Sequence, residues 1–182
     1  MFEGQIYKTV NIEDNLINKV TDDFWYIAAI DPGFRHPTGA VVMATDGDTY
    51  FVIEEYKVAE STTDLHAAWL QEKMDEYDIE EIYIDHAAAQ TAQDLALLYE
   101  IPTMKADKSI TDGINLCTTM FEAGTLVIDS DCHDLIYELS MYAWKGTNNL
   151  GKDVVLKEND DVCDAMRYAV YSSYTRPMGI AS

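Results

Sequence analysis

A chain of 182 residues with 48% hydrophobic content can bury one sizeable core but not two. Twelve lysines and arginines against 33 aspartates and glutamates leave a formal net charge of -21, which repels phosphate backbones and argues against tight, autonomous DNA binding. No segment approaches the roughly 20 apolar residues of a membrane span, and "MFEGQIYKTVNIEDN" lacks the basic and apolar regions of a signal peptide, so a cytoplasmic protein with no membrane partner is expected.

Residues 1–23 read as an N-terminal tail or linker. Residues 24–31, 38–45 and 49–58 are rich in β-branched and aromatic side chains and predict three strands, the last two joined by "TDGD", where Asp46-Gly47 signals a hairpin turn. The period then changes. Ser61 to Thr63 can cap a helix in which Leu65, Ala68, Trp69, Leu70, Met74 and Tyr77 recur at helical spacing. "EEIYID" predicts a strand ending on Asp85, "AAAQTAQDLALLYE" a helix, "PTMKA" a short strand, and "ITDGINLCTTMFEAG" a helix stopped by Gly124. "TLVID" reads as a further strand, and "CHDLIYELSMYAW" and "NDDVCDAMRYAVYSSY" as two more helices. One domain is expected over residues 24–176, with a C-terminal tail at 177–182. Three antiparallel strands followed by alternating helices and strands give the fold class: α/β, a mixed sheet with helices on both faces. Cys117, Cys132 and Cys163 are odd in number and have no CxxC spacing, so reduced thiols are expected rather than a disulfide framework or a zinc ribbon.

Two strands end on aspartates, Asp31 and Asp85, and in open α/β sheets ligands gather at the carboxyl ends of strands. In the last helix Val162, Ala165, Met166, Ala169 and Val170 form an apolar stripe, with Asp161 and Asp164 three apart on its flank. Converging carboxylates repel one another and must take up protons or bind cations. Hard oxygen donors without a cysteine or histidine set favour magnesium or manganese over zinc. Two such ions, about 3.5–4 Å apart, suit phosphodiester hydrolysis. Each piece also has a plainer reading: Asp31-Pro32-Gly33 as a turn, Asp160 and Asp161 as a helix cap.

"GTNNLGKD", residues 146–153, has the GxxxxGK spacing of a phosphate loop. Asp153 follows where that loop needs a serine or threonine, and the extended "VVLK" stands where it needs a helix, so a hairpin is the better reading. Among the few cations, Arg35, Lys105 and Lys108 follow strand ends on the side of the acids, and Lys145 and Lys152 flank the hairpin; all could contact phosphates. Arg167 is placed to pair with Asp164 one helical turn before it. His36 and His86 adjoin the acids and could assist proton transfer, and His133 with Cys132 reads as structural.

The ordered set "IAAIDPGFRHPTGAVV", "EEIYIDHAAAQ", "MKADKSITDGI", "DLIYELSMYAW" and "DDVCDAMRY" resembles the nuclease domain of tailed-phage terminase large subunits, a branch of the RNase H-like fold related to the resolvase RuvC. The match covers about residues 24–174. It implies an endonuclease using two divalent ions, Mg2+ or Mn2+, that cuts concatemeric double-stranded DNA in the host cytoplasm during genome packaging. Asp31, Asp85 and Asp164 take the positions of its catalytic carboxylates, and Asp161 that of a further metal ligand. Relatives often carry histidine at that last position, in a "DHxxDAxRY" pattern, which leaves open whether Asp161 binds metal or orients a water. Implied partners are the terminase ATPase motor, which these residues do not include, the portal protein and the small terminase subunit. Three other readings compete: a junction resolvase or hybrid-cutting ribonuclease, an ATP-binding protein of the actin and sugar-kinase type, and a non-catalytic acidic interaction module. The second needs an Asp-Gly-Gly phosphate turn after a later strand, and the sequence offers none.

Overall fold

The computed structural model describes residues 4–176. Its main sheet has seven strands: β1 (Asn11–Glu13), β2 (Trp25–Asp31), β3 (Thr38–Thr45), β4 (Tyr50–Val58), β5 (Ile79–Ile84), β6 (Met104–Lys105) and β7 (Leu126–Asp129), in the order β1-β7-β4-β3-β2-β5-β6. β2, β3 and β4 form an antiparallel meander, and the β5, β6, β7 and β1 pairings are parallel. A separate antiparallel hairpin, β8 (Trp144–Thr147) and β9 (Asp153–Val155), carries the stretch with phosphate-loop spacing. The helices are α1 (Thr63–Glu76), α2 (Ala89–Tyr99), α3 (Thr111–Ala123), α4 (His133–Met141) and α5 (Asp161–Tyr174). None is long and apolar enough to cross a membrane, among the described residues.

Strand alternation sorts the core into two layers and aims the acids. Ile27 and Ala29 of β2, Val41 and Met43 of β3, and Tyr83 of β5 pack with α3, α4 and α5. Ala28, Ile30, Ala40, Val42, Ile82 and Ile84 pack against α1 and α2 on the other face. Asp31 continues the series of Ile27 and Ala29, and Asp85 follows Tyr83 by two residues, so both fall on the α5 side. The parallel register Ile30↔Ile84 makes them neighbours at the strand ends.

Two expectations change. Residues 11–13, inside the segment read as a tail or linker, form the edge strand β1 beside β7. Ahead of it Tyr7 is buried, stacked on Tyr142 with centroids 5.5 Å apart and edge-on to Phe121, while Ile6 donates its amide to the Tyr142 carbonyl at 2.8 Å. Runs this short leave no readable period in the sequence. Residues 1–3 and the tail expected at 177–182 lie outside the described residues. The buried face of α1 is also rotated: His66, Ala67, Leu70 and Lys73 are covered, whereas Leu65 and Ala68 are exposed. His66 turns inward because its two ring nitrogens pair with Thr38 Oγ1 at 3.1 Å and Tyr56 Oη at 3.0 Å. Thr38 also bonds the Gly33 backbone, so this network braces the turn after Asp31.

Helix α5 lies directly on the sheet at Gly39, where a Cβ would stand 2.2 Å from the Asp161 carbonyl oxygen. The atoms it would meet, from Asp161 and Val162, are all backbone and cannot yield cheaply. Gly39→Ala is expected to push the start of α5 off the sheet and cost about 1–3 kcal/mol or more, the range for overpacking. A thermal melt that leaves Tm unchanged would show that this close approach is dispensable.

Candidate active site

Three elements supply the carboxylates of the candidate site. Asp31 ends β2, Asp85 follows β5, and Asp164 sits in the first turn of α5. The cleft, about 260 Å³, is walled by Asp31, the Pro32-Gly33 turn, His36, Pro37, Lys157, Asp160, Asp161 and Asp164. Asp85 is not among the lining residues, but its charge acts on Asp31 from the adjacent strand end. Of the sequence-predicted set, Asp31, Asp161 and Asp164 share this cleft, and Asp85 stands beside it in the strand register, outside the lining.

Asp164 is almost wholly buried, at 2% exposure. Its Oδ1 accepts from Tyr142 Oη at 2.9 Å and from Arg167 Nη2 at 3.1 Å, while its Oδ2 accepts from Lys157 Nζ at 2.6 Å. The expected Arg167 pairing is thus present, and Arg167 does more. Its Nη1 donates to the Lys108 and Ser109 carbonyls at 3.1 and 2.9 Å, pinning the loop after β6 to α5. That loop carries the Lys108 ammonium to Asp85 Oδ1 at 2.7 Å. The same oxygen accepts from the Ala87 amide, which starts the turn into α2. Lys108, expected to face DNA, is therefore occupied by an acid of the site.

A second network holds Asp161 from behind. Glu138 of α4, with no exposed surface, accepts from Lys57 Nζ at 2.7 Å and from the Cys163 amide at 2.8 Å. Lys57 also lies 3.6 Å from Asp161. Glu138 thereby caps α5 from another helix, whereas Asp160, at the N-cap position, makes no capping bond and turns its Oδ2 to Lys157 at 3.0 Å.

Electrostatics reflect this crowding. Burial, then the charges of Asp164 and Asp85, push Asp31 up to about 7, with no hydrogen bond to its side chain among the described residues to oppose them. Asp160 rises through burial and the Asp164 charge, and Asp161 through burial against the pull of Lys57. For Asp164 burial acts in the same direction, but Arg167 and Lys157 outweigh it and hold the carboxyl below its usual range. Glu138 is pushed up to about 7, burial outweighing Lys57 and the Cys163 amide.

An all-oxygen donor set with surplus negative charge suits a hard divalent cation. As the side chains stand, no three carboxylate, imidazole or thiol groups among the described residues could hold a metal ion. The Lys157 ammonium instead bridges Asp160 and Asp164, a stand-in cation that shows where positive charge is accepted. The donor chemistry therefore fits such an ion, although the present side-chain spacing does not enclose one.

Arg35 and His36 are exposed on the turn after β2, and Lys105 borders a groove with His86 and Lys108 beside Asp85. Lys152 lies farther off, on the hairpin, across a groove from the start of α3. His86 Nδ1 stands 3.8 Å from Asp85, and His133 is exposed at the start of α4 while its neighbour Cys132 is buried. Sequence reasoning missed Lys57, Glu138, Tyr142 and Lys157. Glu138 had a readable signal, an acid on the stripe Leu135, Leu139 and Tyr142; Lys57 and Lys157 had none.

A family model described as the terminase RNaseH-like domain matches residues 28–172. The large terminase subunit of Escherichia phage T5 is 38% identical over 186 residues, covering 94% of this chain and 42% of that protein. The chain thus spans less than half of this curated relative. Among solved structures, the large terminase of a thermophilic bacteriophage in complex with ADP is similar at a TM-score of 0.79 and 21% identity, over 93% of this chain and 44% of that one. The P22 large terminase nuclease domain gives 0.74 and 22%, over 93% and 91%. The nuclease domain of the large terminase from bacteriophage SPP1 with bound Mn gives 0.70 and 17%, over 91% and 97%. These likenesses carry the expected fold class: a mixed sheet flanked by helices, matching the RNase H-like nuclease domains of large terminases.

Two outcomes are expected of the isolated chain in EDTA. Asp31 has a native pKa near 7 against about 3.8 unfolded, so the native state binds the extra proton between those values and stability falls as pH rises through that window. Asp31→Asn is therefore expected to raise Tm above wild type, with a gap that opens from pH 4 and is full near pH 8. Each kcal/mol corresponds to about 2–4 °C at this chain length. A gap that does not grow with pH, measured by calorimetry, would refute the burial argument. Glu138→Ala leaves the buried Cys163 amide without its acceptor and Lys57 with Asp161 alone, and is expected to cost about 1–3 kcal/mol, read from urea unfolding.

Proposed function

The chain belongs to the terminase RNaseH-like domain family, and on that premise we propose that it is a metal-dependent endonuclease hydrolysing phosphodiester bonds of double-stranded DNA. The observation that carries this reading is the meeting of Asp31, Asp85 and Asp164, from three separate elements, on the α5 face of two adjacent strand ends. Asp31 is one of the acids that would hold the Mg2+ or Mn2+ ions. Asp85 and Asp164 would hold them with it, and Asp161 or Asp160 would supply a further oxygen. When bound, the ions would neutralise charge developing on the phosphate and lower the pKa of the attacking water. The manganese named for the SPP1 relative supports this choice of cation.

The chain's own groups do the rest. Tyr142 and Arg167 fix the Asp164 rotamer, and Glu138 with Lys57 fixes the start of α5, so the acids are aimed before substrate arrives. Arg35 on the turn after β2, Lys105 beside Asp85 and Lys152 on the hairpin are the proposed phosphate contacts, and Lys108, expected among them, is held by Asp85 instead. In the whole protein, this reading extends to cutting concatemeric viral DNA during packaging in the host cytoplasm. The ATPase motor, portal protein and small terminase subunit are the proposed partners.

Supercoiled plasmid incubated with the chain and Mn2+ is expected to be nicked and then linearised. EDTA, Asp31→Ala and Asp164→Ala are each expected to lower the rate at least about 100-fold, the scale for removing a charge-stabilising group. Full activity in a folded Asp31→Ala protein would overturn the assignment. A linear duplex cut more slowly than a four-way junction or an RNA–DNA hybrid would move it to a resolvase or ribonuclease.

A further inference from the structure

The two oxygens of Asp164 have different fates. Oδ1 is held inside the protein by Tyr142 and Arg167, both buried. Oδ2 carries the Lys157 ammonium at 2.6 Å, and the same nitrogen lies 3.0 Å from Asp160 Oδ2. Lys157 reaches this position from the solvent side: its side chain is 61% exposed, against 2% for Asp164. It sits two residues past the end of β9, and among the described residues its ammonium pairs only with these two acids. The oxygen of Asp164 that a metal would need is thus covered by a tethered cation, while the other oxygen is committed to the fold.

We propose that Lys157 is a built-in counter-cation that occupies Asp164 Oδ2 when no metal is bound and competes with the divalent ion for it. The lysine relieves the repulsion among Asp31, Asp160 and Asp164 in the metal-free protein, and its departure exposes the ligand. It therefore sets the metal concentration at which the cleft loads. This inference rests on the metal reading above. A single point charge opposed to a divalent ion at one shared oxygen gives an exchange that metal wins at sufficient concentration.

Titration calorimetry of Mn2+ into the metal-stripped chain at pH 8 tests it without reference to DNA cutting. Lys157→Gln is expected to bind Mn2+ about five- to tenfold more tightly than wild type, the scale of one partly exposed ion pair. Lys19→Gln, which removes one positive charge outside the cleft, should stay within about twofold. Lys157→Arg keeps the cation and adds a fork that can engage both acids, and it should bind Mn2+ no more tightly than wild type. In EDTA the Lys157→Gln protein should melt below wild type, and saturating Mn2+ should close that gap. Equal or weaker Mn2+ binding by Lys157→Gln overturns the inference while leaving the metal reading in place. Failure of both wild type and Lys157→Gln to bind Mn2+ removes the metal reading and this inference together.

Discussion

Mutual repulsion among carboxylates is the constraint on which the rest of the molecule turns. Asp31, Asp85, Asp160, Asp161 and Asp164 are brought to one sheet edge in a chain that already carries a formal charge of -21. Water at that edge is limited by burial, so the repulsion is weakly screened. The fold answers with cations of its own. Lys108 lies on Asp85, Lys157 on Asp160 and Asp164, Lys57 beside Asp161, and Arg167 on Asp164. Four of the twelve lysines and arginines are thereby placed on this one cluster. Asp31 has no such partner among the described residues, and its pKa is raised first by burial and then by the charges of Asp164 and Asp85, a cost that a divalent ion would offset.

Helix α5 is the element that turns this balance into geometry. One side of it buries Val162, Ala165, Met166, Ala169 and Val170 against the sheet, so its rotation is set by packing. Its first turn touches the β3 backbone at Gly39, which sets its height. Its N-terminus is closed by Glu138 from α4, and Arg167, one turn beyond Asp164, ties the loop that carries Lys108. The buried ion pairs are expensive in isolation, because desolvation offsets most of their attraction. Their value lies in direction: each fixes one oxygen or one amide, and together they set the orientation of Asp164 and Asp85.

How much of this was legible in the sequence follows from the range over which each signal acts. The meander, the Asp46-Gly47 turn and the stop at Gly124 rest on neighbours in the chain; Gly47 and Gly124 both take the left-handed backbone expected of them. Strand-end aspartates and an i, i+3 pair on a helix flank were equally readable, because strand alternation and helical period place them without knowledge of the partner element. Lys157, Lys57 and Tyr142 were not. Their roles exist only after α4, α5 and the hairpin have docked, and no spacing marks a lysine destined for a carboxylate 81 residues away, as Lys57 is for Glu138. The edge strand β1 was hidden for a related reason: three residues paired to β7 over more than 100 positions leave no local pattern.

Under the proposed activity, the same distribution of charge limits the grip of this chain on DNA. With four cations drawn into the cleft, those near its rim are few: Arg35 on the turn after β2 and Lys105 on β6, with Lys152 farther off on the hairpin. Counterion release scales with the number of phosphates neutralised, so two or three contacts supply only a shallow salt dependence and weak binding. The surrounding acids lower it further by long-range repulsion. Under the proposed activity, chemistry and grip are therefore separated: the cleft supplies charge for a phosphate already in place, and affinity for the polymer must come from elsewhere in a longer protein or its partners. That division also favours an internal counter-cation. A cleft that is weakly held to DNA spends most of its time without substrate, and a lysine seated among the acids keeps the empty cleft electrostatically tolerable without closing it to an ion.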